Sequence, residues 1–139
     1  MLNILFLAAN PLNTEPLMLA EEMRSIDSAL RQTQFRDEIA VQSHWAVRIA
    51  DLQELFQRHQ PDVVHFSGHG SETNEIILQD EAGRGMTVPA SALSNLFAIF
   101  SKKIRCVVLN ACYSADQAVG IAEHIETVIG MPDVITDQA

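Results

Sequence analysis

Four strand-length apolar runs and one alternating segment, separated by stretches of amphipathic or turn-rich sequence, narrow the folds open to this chain. Leu2–Ala8 is interrupted only by Asn3, residues 63–66 only by His65, and residues 104–109 and 127–130 are similarly apolar. Runs without polar alternation belong to strands buried on both faces, as in a parallel sheet covered by helices. Ile39, Val41 and Val47, with Trp45 as packing, fit another strand by alternation.

Between these runs the periodicity changes. Leu17, Leu19, Met23, Ile26 and Leu30 recur at three- and four-residue spacing, which predicts an amphipathic helix over residues 15–34. A second helix is expected from Asp51, or just before it, and ends before Pro61. Pro89 opens a third that runs to Phe100, and Ser114 with Gln117 forms a capping box for a fourth over residues 115–124. Residues 75–79 and 85–88 flank a turn-rich segment and read as a small hairpin inserted after the 63–66 strand. Strands alternating with helices, joined by right-handed crossovers, predict a three-layer α/β/α sandwich with a mostly parallel sheet in flavodoxin-like order. The 63–66 and 104–109 strands are then neighbours, about 5 Å apart.

At 139 residues the chain has the length of one domain, taken as 1–139. A formal net charge of -9 and scattered basic residues argue against nucleic acid, whose phosphates draw affinity from clustered Lys and Arg. Apolar stretches stay well short of the roughly 18 residues a membrane span requires, and no basic segment precedes the first one. A cytoplasmic location without membrane partners is the expectation. Cys106 and Cys112 lie on one strand and its exit, so two reduced thiols are expected rather than a disulfide.

In parallel α/β sheets the C-terminal strand ends form the rim where ligands sit. The 63–66 strand runs into Ser67-Gly68-His69-Gly70, and the 104–109 strand into Asn110-Ala111-Cys112-Tyr113-Ser114. Topology therefore carries an imidazole, His69, and a thiol, Cys112, to one rim. A thiol is only partly ionised at neutral pH, and a helix N-terminus or a neighbouring imidazolium favours its thiolate form. Cys112 as nucleophile and His69 as proton carrier would suit acyl transfer, with the N–H groups of Gly70 and Cys112 aimed at the developing oxyanion. His65 reads as a core or supporting histidine and Cys106 as a core residue. A zinc site from His65, His69 and Cys112 would lack a fourth ligand, so no metal and no cofactor is expected. Asp116 is accounted for by its place in a helix first turn. The alternative for Asp116 is a carboxylate that favours a basic substrate side chain, and Asn10 borders the same rim. A nucleotide-binding reading is the weakest, because Ala8-Ala9-Asn10-Pro11 stands where a Gly-rich phosphate loop would be.

Phe66-Ser67-Gly68-His69-Gly70 and Leu109-Asn110-Ala111-Cys112-Tyr113-Ser114 resemble the caspase-like cysteine peptidase clan, and within it the CHAT domain, named as caspase-like and associated with tetratricopeptide repeats. Ile4-Leu5-Phe6-Leu7-Ala8-Ala9-Asn10-Pro11 and Val128-Ile129-Gly130-Met131 extend the resemblance over the chain. The resemblance implies a His69–Cys112 dyad that cleaves protein or peptide substrates. It also implies control by repeat or sensor domains, fused or in trans, in bacterial signalling or defence. Asn110-Ala111-Cys112 replaces the Gln-Ala-Cys of caspases, and the interval back to His69 is shorter than their roughly 50 residues, so Asp-specific cleavage does not carry over. Family members continue past the 127–130 strand with a further strand and helices. Their lack would expose a sheet edge, and the expectation is self-association as a homodimer through that edge with weak or no activity. A catalytically inactive regulatory or scaffold module with the same fold is the alternative.

Overall fold

In a computed structural model that describes residues 1–10, 19–34, 36–45, 47–71 and 75–131, the chain is an α/β protein built on a five-stranded parallel sheet. The strands β1 (Leu2–Ala8), β2 (Ile39–His44), β3 (Val63–Ser67), β7 (Cys106–Asn110) and β8 (Thr127–Ile129) lie in the order β2-β1-β3-β7-β8. Helices α1 (Leu19–Arg31), α2 (Ile49–His59), α3 (Ala90–Ile99) and α4 (Ala115–Ile121) cover it. The expected flavodoxin-like order is present, with β3 and β7 adjacent and Ser67 directly opposite Asn110.

Side chains alternate between the two faces of the central strands, and this sorts the helices. Leu5 and Leu7 of β1, Val64 and Phe66 of β3, and Val107 and Leu109 of β7 pack with Leu52, Leu55 and Phe56 of α2, Leu93 and Phe97 of α3, and Ile121 of α4. Phe56 anchors this layer, its ring 5.3 Å from Phe97 and 5.4 Å, edge-on, from Phe100. Burying one such ring is worth about 2–3 kcal/mol. On the opposite face Phe6 and Ala8 pack against Met23 and Ile26 of α1. With α1 and α2 on opposite faces, the strand order reverses between β1 and β3, and the crevice at their C-terminal ends is the switch point where such sheets hold ligands.

Several boundaries differ from the sequence reading for local reasons. Within the described residues α1 begins at Leu19; it ends at Arg31, where the Thr33 N–H and hydroxyl take over the Leu30 carbonyl. Helix α2 does begin just before Asp51 as expected, at Ile49, and the Asp51 carboxylate in its first turn accepts the Arg48 N–H. The β7 pairing starts at Cys106 rather than residue 104, the N–H groups of Arg105 and Cys106 both reaching the Asp62 carbonyl. Trp45 packs at the surface: about half exposed, its ring tilts against Phe6 at 5.9 Å.

The expected hairpin is larger than two strands. β5 (Ile76–Gln79) and β6 (Gly85–Thr87) are joined by β4 (His69–Gly70) into an antiparallel three-stranded sheet. It is tied to the main sheet by the Gln79 N–H on the Val47 carbonyl and the Val47 N–H on the Ala8 carbonyl.

At the other end of the sheet Asp62 closes the strands. Its carboxylate accepts the Asn3 N–H at 2.8 Å and the Lys103 ammonium at 2.9 Å. Burial pushes this carboxyl up, but the Asn3 N–H and Lys103 outweigh that and hold it below the usual carboxylate range. A depressed folded value means that the folded chain binds fewer protons than the unfolded one, so this contribution is present above the unfolded value of about 4 and is lost as pH falls through the folded value. Urea midpoints for Asp62→Asn should therefore depend less steeply on pH below about 4.5 than those of the wild type. Parallel acid limbs would contradict this assignment.

Candidate functional site

Strand β3 delivers its last residue, Ser67, to the rim, and Gly68 donates its N–H to the Asn110 carbonyl at the end of β7 (3.3 Å). The chain then leaves the main sheet, and His69 pairs with Ile77 and Gly70 with Ile76. The histidine thus sits on a two-residue strand of the second sheet, just beyond the β3 end. Because the Ser71 N–H bonds the Glu75 carbonyl, Gly70 and Ile76 form a non-hydrogen-bonded pair, which turns the Gly70 N–H away from β5.

Cys112 lies over Gly70 on the side to which a side chain would project. A Cβ built on Gly70 would stand 1.6 Å from the Cys112 carbonyl oxygen and 2.7 Å from its carbon. Glycine is required here by this approach rather than by its dihedrals, since the positive-φ glycine of the described chain is Gly83. The peptide after His69 therefore rests on the peptide of Cys112, and both residues are half-buried. The His69 Nε2 is enclosed by protein and has no hydrogen-bond partner. Buried polar atoms without a partner are rare in folded proteins, and a catalytic role is one of the reasons for them.

The turn carrying Cys112 is held under strain. Tyr113 has φ 56, a left-handed conformation that is costly for a bulky side chain. Ser114, fully buried, keeps it there. Its hydroxyl lies 3.0 Å and 2.8 Å from the carbonyls of Leu109 and Ala111 and accepts the Met131 N–H at 3.0 Å. The expected capping box does not form: Ser114 occupies the N-cap position of α4, but its side chain turns inward. Gln117, also buried, instead accepts the Ile76 N–H at 2.8 Å and donates to the Val88 carbonyl at 3.0 Å, joining α4 to the second sheet.

Asn10 follows β1 on the same rim, exposed, with its N–H on the Gln79 side chain at 3.3 Å. Asp116 is exposed in the first turn of α4. Cys106 is half-buried inside β7, and burial pushes its thiol up, away from reactivity. Among the described residues no cluster of three or more His, Cys, Asp or Glu is arranged to hold a metal ion, and no helix is long and apolar enough to cross a membrane.

One participant escapes a motif search. Glu22 of α1 reaches the sheet face opposite the main core, where its Oε1 lies 2.5 Å from the Ser67 hydroxyl, 2.8 Å from Asn110 Nδ2 and 3.3 Å from His65 Nε2. Burial pushes the Glu22 carboxyl up, but the hydrogen bonds from His65, Ser67 and Asn110 together prevail and hold it below the usual carboxylate range. The His65 ring stacks on Phe6 at 5.2 Å, so the histidine belongs to this polar cluster. Its sequence signal is faint: Glu22 shares the inward helix face with Ile26, four residues on.

A profile of the CHAT domain matches residues 7–136. Two curated relatives carry protease names. A Roc-COR-CHAT protease from an unknown prokaryotic organism is 24% identical over 143 residues, covering 98% of this chain and 14% of the relative. A probable protease of Gillisia limnaea is 20% identical over 129 residues, covering 91% of this chain and 23% of the relative. The chain thus spans less than a quarter of the length of either. A match across nearly all of the chain, on a parallel sheet with a Gly-His-Gly strand exit packed against a cysteine turn, places this protein in the CHAT-domain family.

Proposed function

We propose that this chain is a caspase-like cysteine endopeptidase domain in which Cys112 is the nucleophile and His69 its proton-carrying partner. What supports the reading is the seat of the Gly70 peptide on the Cys112 peptide, since it fixes the residue after the imidazole against the residue that bears the thiol. In the first half-reaction the Cys112 thiolate attacks a peptide carbonyl and a C–S bond forms. The tetrahedral oxyanion accepts the N–H groups of Gly70 and Cys112. His69 gives its proton to the leaving amine as the C–N bond breaks, leaving a thioester. Water, losing a proton to His69, then attacks the thioester, and the acid product departs as the Cys112 sulfur is released.

Substrates in this reading are proteins or peptides, and Asp116 and Asn10 flank the bound substrate, the former favouring a basic side chain. Control comes from repeat or sensor domains in bacterial signalling or defence, in the cytoplasm, with 1–139 acting as one catalytic unit and β8 as the edge through which a second copy pairs. The test is site-resolved alkylation of Cys112 by iodoacetamide. Cys112 should react faster than free cysteine and than Cys106, and His69→Ala should slow it about tenfold. A Cys112 that reacts like a free thiol, unaffected by His69→Ala, would instead mark a catalytically silent module.

A further inference from the structure

We propose that Glu22 is a positioning residue for the His69–Cys112 pair, one carboxylate oxygen of α1 clamping together the two strand ends that carry them. The inference rests on the peptidase reading above. Ser67 lies two residues before His69 and Asn110 two residues before Cys112, and the two are directly opposite in the β3–β7 register. Each donates from its side chain to the same Glu22 Oε1, and Asn110 Nδ2 also lies 3.4 Å from Ser67 Oγ. His65, on the same strand face as Ser67, is 3.1 Å from the Ser67 hydroxyl and adds a third contact to that oxygen. All four side chains are half-buried or buried, so their bonds are little weakened by water.

The fold makes this clamp consequential. The parallel β3–β7 register ends at Ser67 and Asn110, past which one chain enters β4 and the other the Cys112 turn, and the two meet again where Gly70 lies on Cys112. The Glu22 oxygen is fixed to the last paired position of each strand, from the face opposite α4 and the second sheet. Its removal would leave the ledge supported from one side. A displacement of α1 would release both strand ends together.

The experiment uses the 139-residue chain and a peptidyl acyloxymethyl ketone, chosen from a set varied at P1 as the fastest labeller of wild-type Cys112. The inactivation rate constant and the apparent binding constant are measured separately. Glu22→Ala should lower the rate constant between about ten- and a hundredfold, the range expected when reacting groups shift by a fraction of an ångström to one ångström. The binding constant should hold within about twofold, because Glu22 lies on the opposite face of the sheet and does not touch the inhibitor. Glu22→Gln, which keeps an oxygen acceptor for Ser67 and Asn110, should restore the rate constant to within about threefold of wild type. Far-UV circular dichroism verifies folding. If Glu22→Ala is unfolded, Ser67→Ala takes its place, with an expected loss of about three- to tenfold. A wild-type rate in these variants, with labelling lost in His69→Ala, overturns the role of Glu22 alone. Labelling of His69→Ala at the wild-type rate overturns the dyad and the clamp with it.

Discussion

Gly70→Ala should cost both stability and Cys112 reactivity, by about 2–3 kcal/mol of unfolding free energy and about a hundredfold in labelling rate. The added carbon would fall 1.6 Å from a carbonyl oxygen, less than half an ordinary contact distance, and the atoms it meets are backbone. No rotamer change relieves such an overlap. Either β4 lifts from the Cys112 turn or the turn retreats, and neither is free to move. The turn is fixed by the Tyr113 conformation and by buried Ser114, and β4 by its pairing with β5. A drop in melting temperature of about 5–10 °C is the expected thermal signature. The labelling loss is the more telling measurement, because it reports the relation between His69 and Cys112 rather than the total packing. A Gly70→Ala chain that melts and labels like wild type would mean that the two peptides are not in contact.

Much of the scaffold is legible in the sequence because its signals are local or topological. Nearly unbroken apolar runs mark β1, β3 and β7, and the handedness of crossovers then makes β3 and β7 neighbours without any pairing information. The site is legible only as far as this rule reaches. It brings residues 69 and 112 to one rim, but not His69 into a separate sheet, since a two-residue strand has no periodicity and its partner Ile77 is chosen by tertiary contact. Ser114 and Gln117 have capping-box spacing, and burial gives both other work: the serine braces a strained turn and the glutamine serves the second sheet. Tyr113 has no sequence signature for its left-handed backbone, because aromatic residues rarely adopt it. Glu22 is hidden for another reason. A carboxylate on the inward face of an amphipathic helix reads as a flaw in the pattern until the donors it meets are known.

Gln117→Leu should destabilise the chain by about 3 kcal/mol although the two side chains are nearly equal in volume. In the β5–β6 ladder the Val88 N–H bonds the Ile76 carbonyl at 3.0 Å, and an ordinary antiparallel pair would return a bond from the Ile76 N–H to the Val88 carbonyl. Here the Gln117 carboxamide is interposed, accepting from one and donating to the other, so the side chain acts as an extra peptide group in the ladder. Leucine fills the space and leaves a buried N–H and a buried C=O without partners, each worth about 1–3 kcal/mol. Urea unfolding measures the loss. Gln117→Glu, which cannot donate to Val88 when ionised, should fail to restore it, and a Gln117→Leu chain as stable as wild type would show that the ladder closes directly once the amide is gone. Because β5 holds β4, and β4 carries His69, the same substitution should also slow Cys112 labelling, whereas a mutation of equal cost in the Phe56 cluster should leave labelling of the folded chain unchanged.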